Sequence, residues 1–64
     1  MNWRVVFFGV DGSMISAVLF FGSPSKAMGV MGIHPEGCYR VELQKEVDIC
    51  CGNKEWVTTY ERIV

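Results

Sequence analysis

Cys38-Tyr39-Arg40-Val41-Glu42-Leu43-Gln44-Lys45-Glu46-Val47-Asp48-Ile49-Cys50 is the stretch whose reading decides the fold. Its odd positions run Tyr39, Val41, Leu43, Lys45, Val47, Ile49, and its even positions run Arg40, Glu42, Gln44, Glu46, Asp48. An alternation of period two, sustained over the whole segment, specifies a β-strand with one face against a core and the other against water.

The segment that follows supplies its partner. Gly52-Asn53 tolerates the positive φ of a tight hairpin loop, and Trp56-Val57-Thr58-Thr59-Tyr60 is rich in aromatic and β-branched residues. With Gly52 and Asn53 as the loop, Ile49 is expected opposite Trp56, Val47 opposite Thr58, Lys45 opposite Tyr60, and Val41 opposite Val64. The Lys45 stem would then lie over the Tyr60 ring. The same register gathers Glu42, Glu46, Asp48, Glu55 and Glu61 on the other surface, five of the chain's 7 acidic residues, with Arg40 as their one basic neighbour. Trp56, Val57, Tyr60, Ile63 and Val64 also fall at helical spacing, but the two threonines and the turn before them favour the strand.

Working outward, Trp3-Arg4-Val5-Val6-Phe7-Phe8-Gly9-Val10 and Met14-Ile15-Ser16-Ala17-Val18-Leu19-Phe20-Phe21 flank Asp11-Gly12, the strongest short hairpin signal in the chain. With those two residues as the loop, one face carries Trp3, Val5, Phe7, Met14, Val18 and Phe20. The other carries Val6, Phe8, Val10, Ile15, Ala17, Leu19 and Phe21. Both faces are apolar, as in a strand pair covered on two sides or one that presents a face to a partner.

Between the hairpins, Ser23 reads as an N-cap, Pro24 as the first helical position and Gly32 as a left-handed C-terminal residue. A short helix from Pro24 to Met31 would turn Ala27, Met28 and Met31 toward the sheet. His34-Pro35-Glu36-Gly37 is a turn into the long hairpin. The expected architecture is therefore a single α+β domain over residues 1–64, an antiparallel four-stranded sheet with one short helix in the order ββαββ. The alternative is a small all-β barrel, because residues 24–33 also alternate tolerably as a strand.

Composition bounds the function. The chain has 64 residues, and a domain of this size buries only ~60% of the surface its unfolded form exposes. Half of its residues are apolar (50%), which points to apolar surface covered by another chain. Net charge is -1, and Arg4, Lys26, Arg40, Lys45, Lys54 and Arg62 are scattered, so no direct nucleic-acid binding is expected. Asp11-Gly12 breaks the apolar run Val5 to Gly22, which argues against both a membrane span and a secretory signal. The 3 cysteines, two of them adjacent, fit reduced thiols in a cytoplasmic protein.

Catalytic signals are thin. His34 is the single histidine, and neither it nor Cys38 sits in a nucleophile signature. His34, Cys38, Cys50 and Cys51 supply four zinc-type ligands without the spacing that lets paired thiolates converge on one metal. Carboxylates on a flat wet sheet lack the unequal environments of an acid and base pair. No enzyme, metal site or cofactor is expected.

The chain reads as a small non-enzymatic protein that binds a larger macromolecule as an inhibitor, regulator or accessory subunit. Compact motif-free chains of this kind are common among proteins encoded by phages and other mobile elements. Phe8, Ile15 and Leu19, or Trp3, Val5 and Phe20 of the opposite face, are the expected hydrophobic anchor, and Glu42, Glu46, Asp48, Glu55 and Glu61 the orienting charges. The alternative is a structural homo-oligomer, most simply a homodimer, packed through the apolar N-terminal hairpin.

Overall fold

In the computed structural model, which describes residues 2–64, the alternating segment is β3 (Cys38–Cys50) and lies next to the centre of an antiparallel sheet. The other elements are β1 (Asn2–Gly9), β2 (Met14–Phe21), α1 (Ser25–Met31) and β4 (Asn53–Ile63). The order across the 4-stranded sheet is β2-β1-β3-β4. The ββαββ sequence of elements therefore holds, while the barrel alternative does not: the sheet is open, with β2 and β4 as its edges. No helix is long and apolar enough to cross a membrane among the described residues.

Topology follows from the pairings. Both β2 and β3 run antiparallel to β1, so they are parallel to each other and the chain must cross β1 to pass between them. Helix α1 makes that crossing and packs on β1 and β3. Its first residue is Ser25 and its N-cap Pro24, not the expected Ser23, with no side-chain cap bond; the Ser23 Oγ accepts from the Ser25 N–H at 3.3 Å from just outside the helix. The opposite end differs from the sequence expectation: Gly32 is right-handed (φ -80), and the Met31 carbonyl instead accepts from Arg62 Nη2 of β4 at 2.9 Å. A cation at a helix C-terminus satisfies an orphan carbonyl and complements the macrodipole.

The core lies between α1 and one face of the two central strands. Val5, Phe7, Val41, Leu43, Ala27 and Met31 form it, with Trp3, Phe20, Val30 and Cys38 packed at its margin. Met28, expected to point inward, is instead exposed (46%). A helix of 7 residues is ~10 Å long and ~10 Å wide, while four strands at ~4.8 Å spacing need about 19 Å of cover. Two strands are covered and the edges are not. The molecule is accordingly a slab of 38 × 25 × 15 Å, with a radius of gyration of 12.0 Å against about 11 Å for a compact chain of this length.

The first hairpin keeps its expected register from Asn2↔Phe21 to Phe7↔Ser16 and then shifts, so that Phe8 faces Met14 and Ile15 is the extra residue of a bulge. Met14 thereby moves to the face of Phe8. The loop is longer than two residues: Gly12 (φ +84) donates to the Gly9 carbonyl at 3.0 Å, and Asp11 Oδ1 accepts from the Ser13 N–H and hydroxyl. Those two bonds, the hydroxyl's first, hold the Asp11 carboxyl below its ordinary pKa.

The second hairpin departs further. Its left-handed turn residues are Cys51 (φ 51) and Gly52 (φ 81), not Gly52 and Asn53. Two bulges follow, one leaving Ile49 extra in β3 and one leaving Thr59 extra in β4. They cancel in length, yet between them every β4 side chain is turned over, because a slip of one residue exchanges the faces of a strand. Trp56 lies opposite Glu46 instead of Ile49, Thr58 opposite Gln44, Val57 opposite Lys45 and Glu55 opposite Val47. Beyond the second bulge Tyr60 faces Leu43 and Arg62 faces Val41. Lys45 consequently reaches the Trp3 ring (5.9 Å), its partner across β1, and not Tyr60.

Candidate protein-binding surfaces

The side of the sheet away from α1 closes itself with side chains. Directly paired residues share a face, so Arg4, Val6 and Phe8 of β1 lie beside Gln44, Glu42 and Arg40 of β3, with Thr58 and Trp56 beyond them. The Arg4 guanidinium stacks on Trp56 (4.4 Å) and that of Arg40 on Phe8 (4.5 Å). Such stacks are worth ~0.5–1 kcal/mol at exposed sites and more when dry. Val6 beneath them is fully buried (0%) without any helix over it.

Polar bonds run through the same layer. Arg4 Nε donates to Gln44 Oε1 at 2.6 Å, Gln44 Nε2 donates to Glu42 Oε1 at 3.0 Å, and the Thr58 hydroxyl donates to that oxygen at 2.6 Å. Arg40 Nε stands 3.0 Å from Glu42 Oε2 as an ion pair whose N–H is not aligned for a hydrogen bond. Burial, the largest single influence on Glu42, works to raise its carboxyl. The bonds from Thr58 and Gln44 and the charges of Arg40 and Arg4 together outweigh it and hold the pKa below the ordinary glutamate value.

This arrangement redistributes the row of carboxylates expected from the sequence. Glu42 is buried and already partnered. Glu46 accepts from Asn2 Nδ2 at 2.8 Å and pairs with Lys54 at 3.7 Å. Glu55 lies on the opposite, helix-side face of the sheet, carried there by the bulges. Asp48 and Glu61 remain on the open face, Asp48 in a shallow depression lined also by Asn2, Glu46 and Lys54. Arg4, Arg40 and Lys54 share that face, so it is a mixed surface and not an acidic one. The expectation of Arg40 as the single basic neighbour failed because Arg4 arrives from another strand and Lys54 by the shifted register.

The expected apolar anchor divides as well. Phe8 is half-buried beneath Arg40, whereas Ile15 and Leu19 on β2 are exposed (41% and 60%). Met14, Val18 and Phe21 of the same strand are also exposed, and Phe20 alone is half-buried. β2 carries no charge and no proline over its 8 residues, and no described strand pairs with its outer side. β4, the other edge, carries Lys54, Glu55, Glu61 and Arg62. Charges on an edge discourage strand addition, and an uncharged regular edge invites it.

The candidate ligands are dispersed. Cys38 and Cys50 stand at opposite ends of β3, a 13-residue strand, roughly 35 to 40 Å apart at ~3.3 Å per residue. Cys38 Sγ donates to the Arg40 carbonyl (3.4 Å), His34 is exposed in the loop before β3, and Cys51 is in the turn at its far end. The four residues cannot gather on one metal. Sequence reasoning missed Arg4, Gln44, Trp56 and Thr58 as a connected set, although a lone arginine inside the apolar β1 was a signal that it needed partners.

Compared with known protein families, curated proteins and solved structures, the chain matches none.

Proposed function

We propose that this chain is a protein-binding domain without catalysis of its own, which acts by accepting a strand of another protein chain along the free edge of β2. The observation that carries the reading is the contrast between the two edges: β4 is guarded by four charged side chains, and β2 by none. Strand addition draws affinity from main-chain hydrogen bonds and specificity from alternate side chains. Here Leu19, with Val18 and Phe21, supplies the apolar contacts along the regular part of the strand, and Ile15 at its bulged end marks where the pairing stops. An inhibitor, regulator or accessory subunit of a larger assembly works by such docking. Asp48 and Glu61, outside the internally paired set, are left to orient the approach.

The test uses the whole chain and two folded variants. Leu19→Glu places a charge on the edge beside Arg4, its neighbour across β1, and Glu61→Lys alters the charged face. Proteins retained from the native lysate by the wild type are identified, purified and re-bound. Binding lost in L19E and kept in E61K supports the reading. Binding equal in wild type and L19E refutes it.

A further inference from the structure

We infer that the strand received by β2 is the β2 of a second copy, so that two chains join into one continuous eight-stranded antiparallel sheet. The inference rests on the protein-binding reading above and names its partner. An antiparallel pair of identical edges has its two-fold axis perpendicular to the sheet, since the axis must reverse strand direction while keeping each edge against the other. One residue of β2 then faces its own copy, and both α1 helices lie on the same side.

The sequence of β2 selects that residue. The bulge at Ile15 interrupts the regular ladder at one end and Gly22 (φ +88) ends it at the other, leaving Ser16 to Phe21 as the usable edge. Centred on Val18, the pairing sets Ser16 against Phe20 on the helix side and Ala17 against Leu19 on the open side. Small meets large in both layers. Centred on Ala17, it would set Ala17 against itself and Leu19 against the bulged Ile15, bringing the bulge inside the interface; centred on Leu19, it would set Leu19 against itself and Val18 against Phe20, large against large in both layers. An uncharged strand is also free of the like-charge opposition that a two-fold axis imposes on a charged residue at its centre. The other edge carries Lys54, Glu55, Glu61 and Arg62, charges that discourage strand addition.

The unpaired molecule has a reason to dimerise. Its helix covers only β1 and β3, so Val18 and Phe20 on the helix side of β2 have α1 on one flank alone. A second sheet edge extends the layer past them and satisfies the outward backbone groups of alternate β2 residues.

Sedimentation velocity of the full chain under reducing conditions, across a hundredfold concentration range, reads the outcome. Wild type is expected to be a dimer, and L19E, folded by circular dichroism, to dissociate with a dissociation constant raised roughly a hundredfold, since each dimer loses two apolar contacts and gains two carboxylates near the axis. A second variant checks the geometry without weakening the interface: Val18→Cys, in a chain with Cys38, Cys50 and Cys51 replaced by serine, is expected to cross-link to its own copy on mild oxidation. A wild type that stays monomeric overturns the inference; if it then binds another protein through an edge that L19E disables, the protein-binding reading survives, and if it binds none, both fall. A dimer indifferent to L19E whose V18C form does not cross-link also overturns it.

Discussion

Replacing Glu42 by glutamine tests whether the open face is a second structural layer. The carboxylate accepts from Thr58 Oγ1 and Gln44 Nε2 and stands 3.0 Å from Arg40 Nε. Glutamine keeps an oxygen for the first two donors, but turns its amide hydrogens toward the guanidinium. Hydrogen bonds to a charged group contribute ~1.5–3 kcal/mol and neutral ones ~0.5–1.5, so two bonds lose about 2 kcal/mol together, with up to ~1 kcal/mol more from the ion pair. For a domain of this size that is roughly 15–20 °C in Tm.

The pH dependence has a definite sign. Because the folded carboxyl is held below its unfolded value, its stabilisation is fully present above pH about 4.3 and is lost as pH falls through the lower folded pKa. Urea unfolding of both proteins at neutral pH and in steps down to about pH 3 should show the variant weaker at neutrality and the gap narrowing on acidification. Equal stability at neutral pH, or a gap that persists unchanged in acid, would refute the reasoning.

Other consequences follow from single positions. Cys51→Gly removes a side chain from a left-handed turn position (φ 51) and should stabilise the fold by ~1 kcal/mol, read as a higher urea midpoint with unchanged slope. Arg62→Ala removes the donor to the Met31 carbonyl and should cost about 1 kcal/mol, with faster amide exchange in α1 than in β3. Deleting Thr59 should cost under ~1 kcal/mol in a urea titration, since Gln44↔Thr58 and Leu43↔Tyr60 then become successive pairs of a regular ladder.

How much of this was legible in the sequence depended on the range of the interactions. Asp11-Gly12 marked the first hairpin, and local chain stiffness did the rest, so its register held until the bulge at Ile15. The alternation of β3 and the Ser23-Pro24 entry to α1 were likewise local signals. Ile49 and Thr59 carry no mark of a bulge, being ordinary strand residues, and the left-handed position at the tip went to Cys51 where Asn53 had the better propensity. Those two facts turned Trp56 and Thr58 to the open face and Glu55 away from it. Glu42 looked solvated because its burial depends on Arg4 and Thr58, brought to it by pairing distant in sequence. The absence of charge from β2 was readable at once; that β2 would be an edge was not, since edge and centre are decided by the crossover of α1.

Amide hydrogen exchange resolved along the chain at low and high protein concentration tests most directly whether β2 is the edge that receives another strand. Slowing on concentration confined to alternate amides between Ser16 and Phe21, with β4 unchanged, is the expected result. Exchange in β2 that does not depend on concentration or on any bound protein, or slowing that appears along β4 instead, would contradict it.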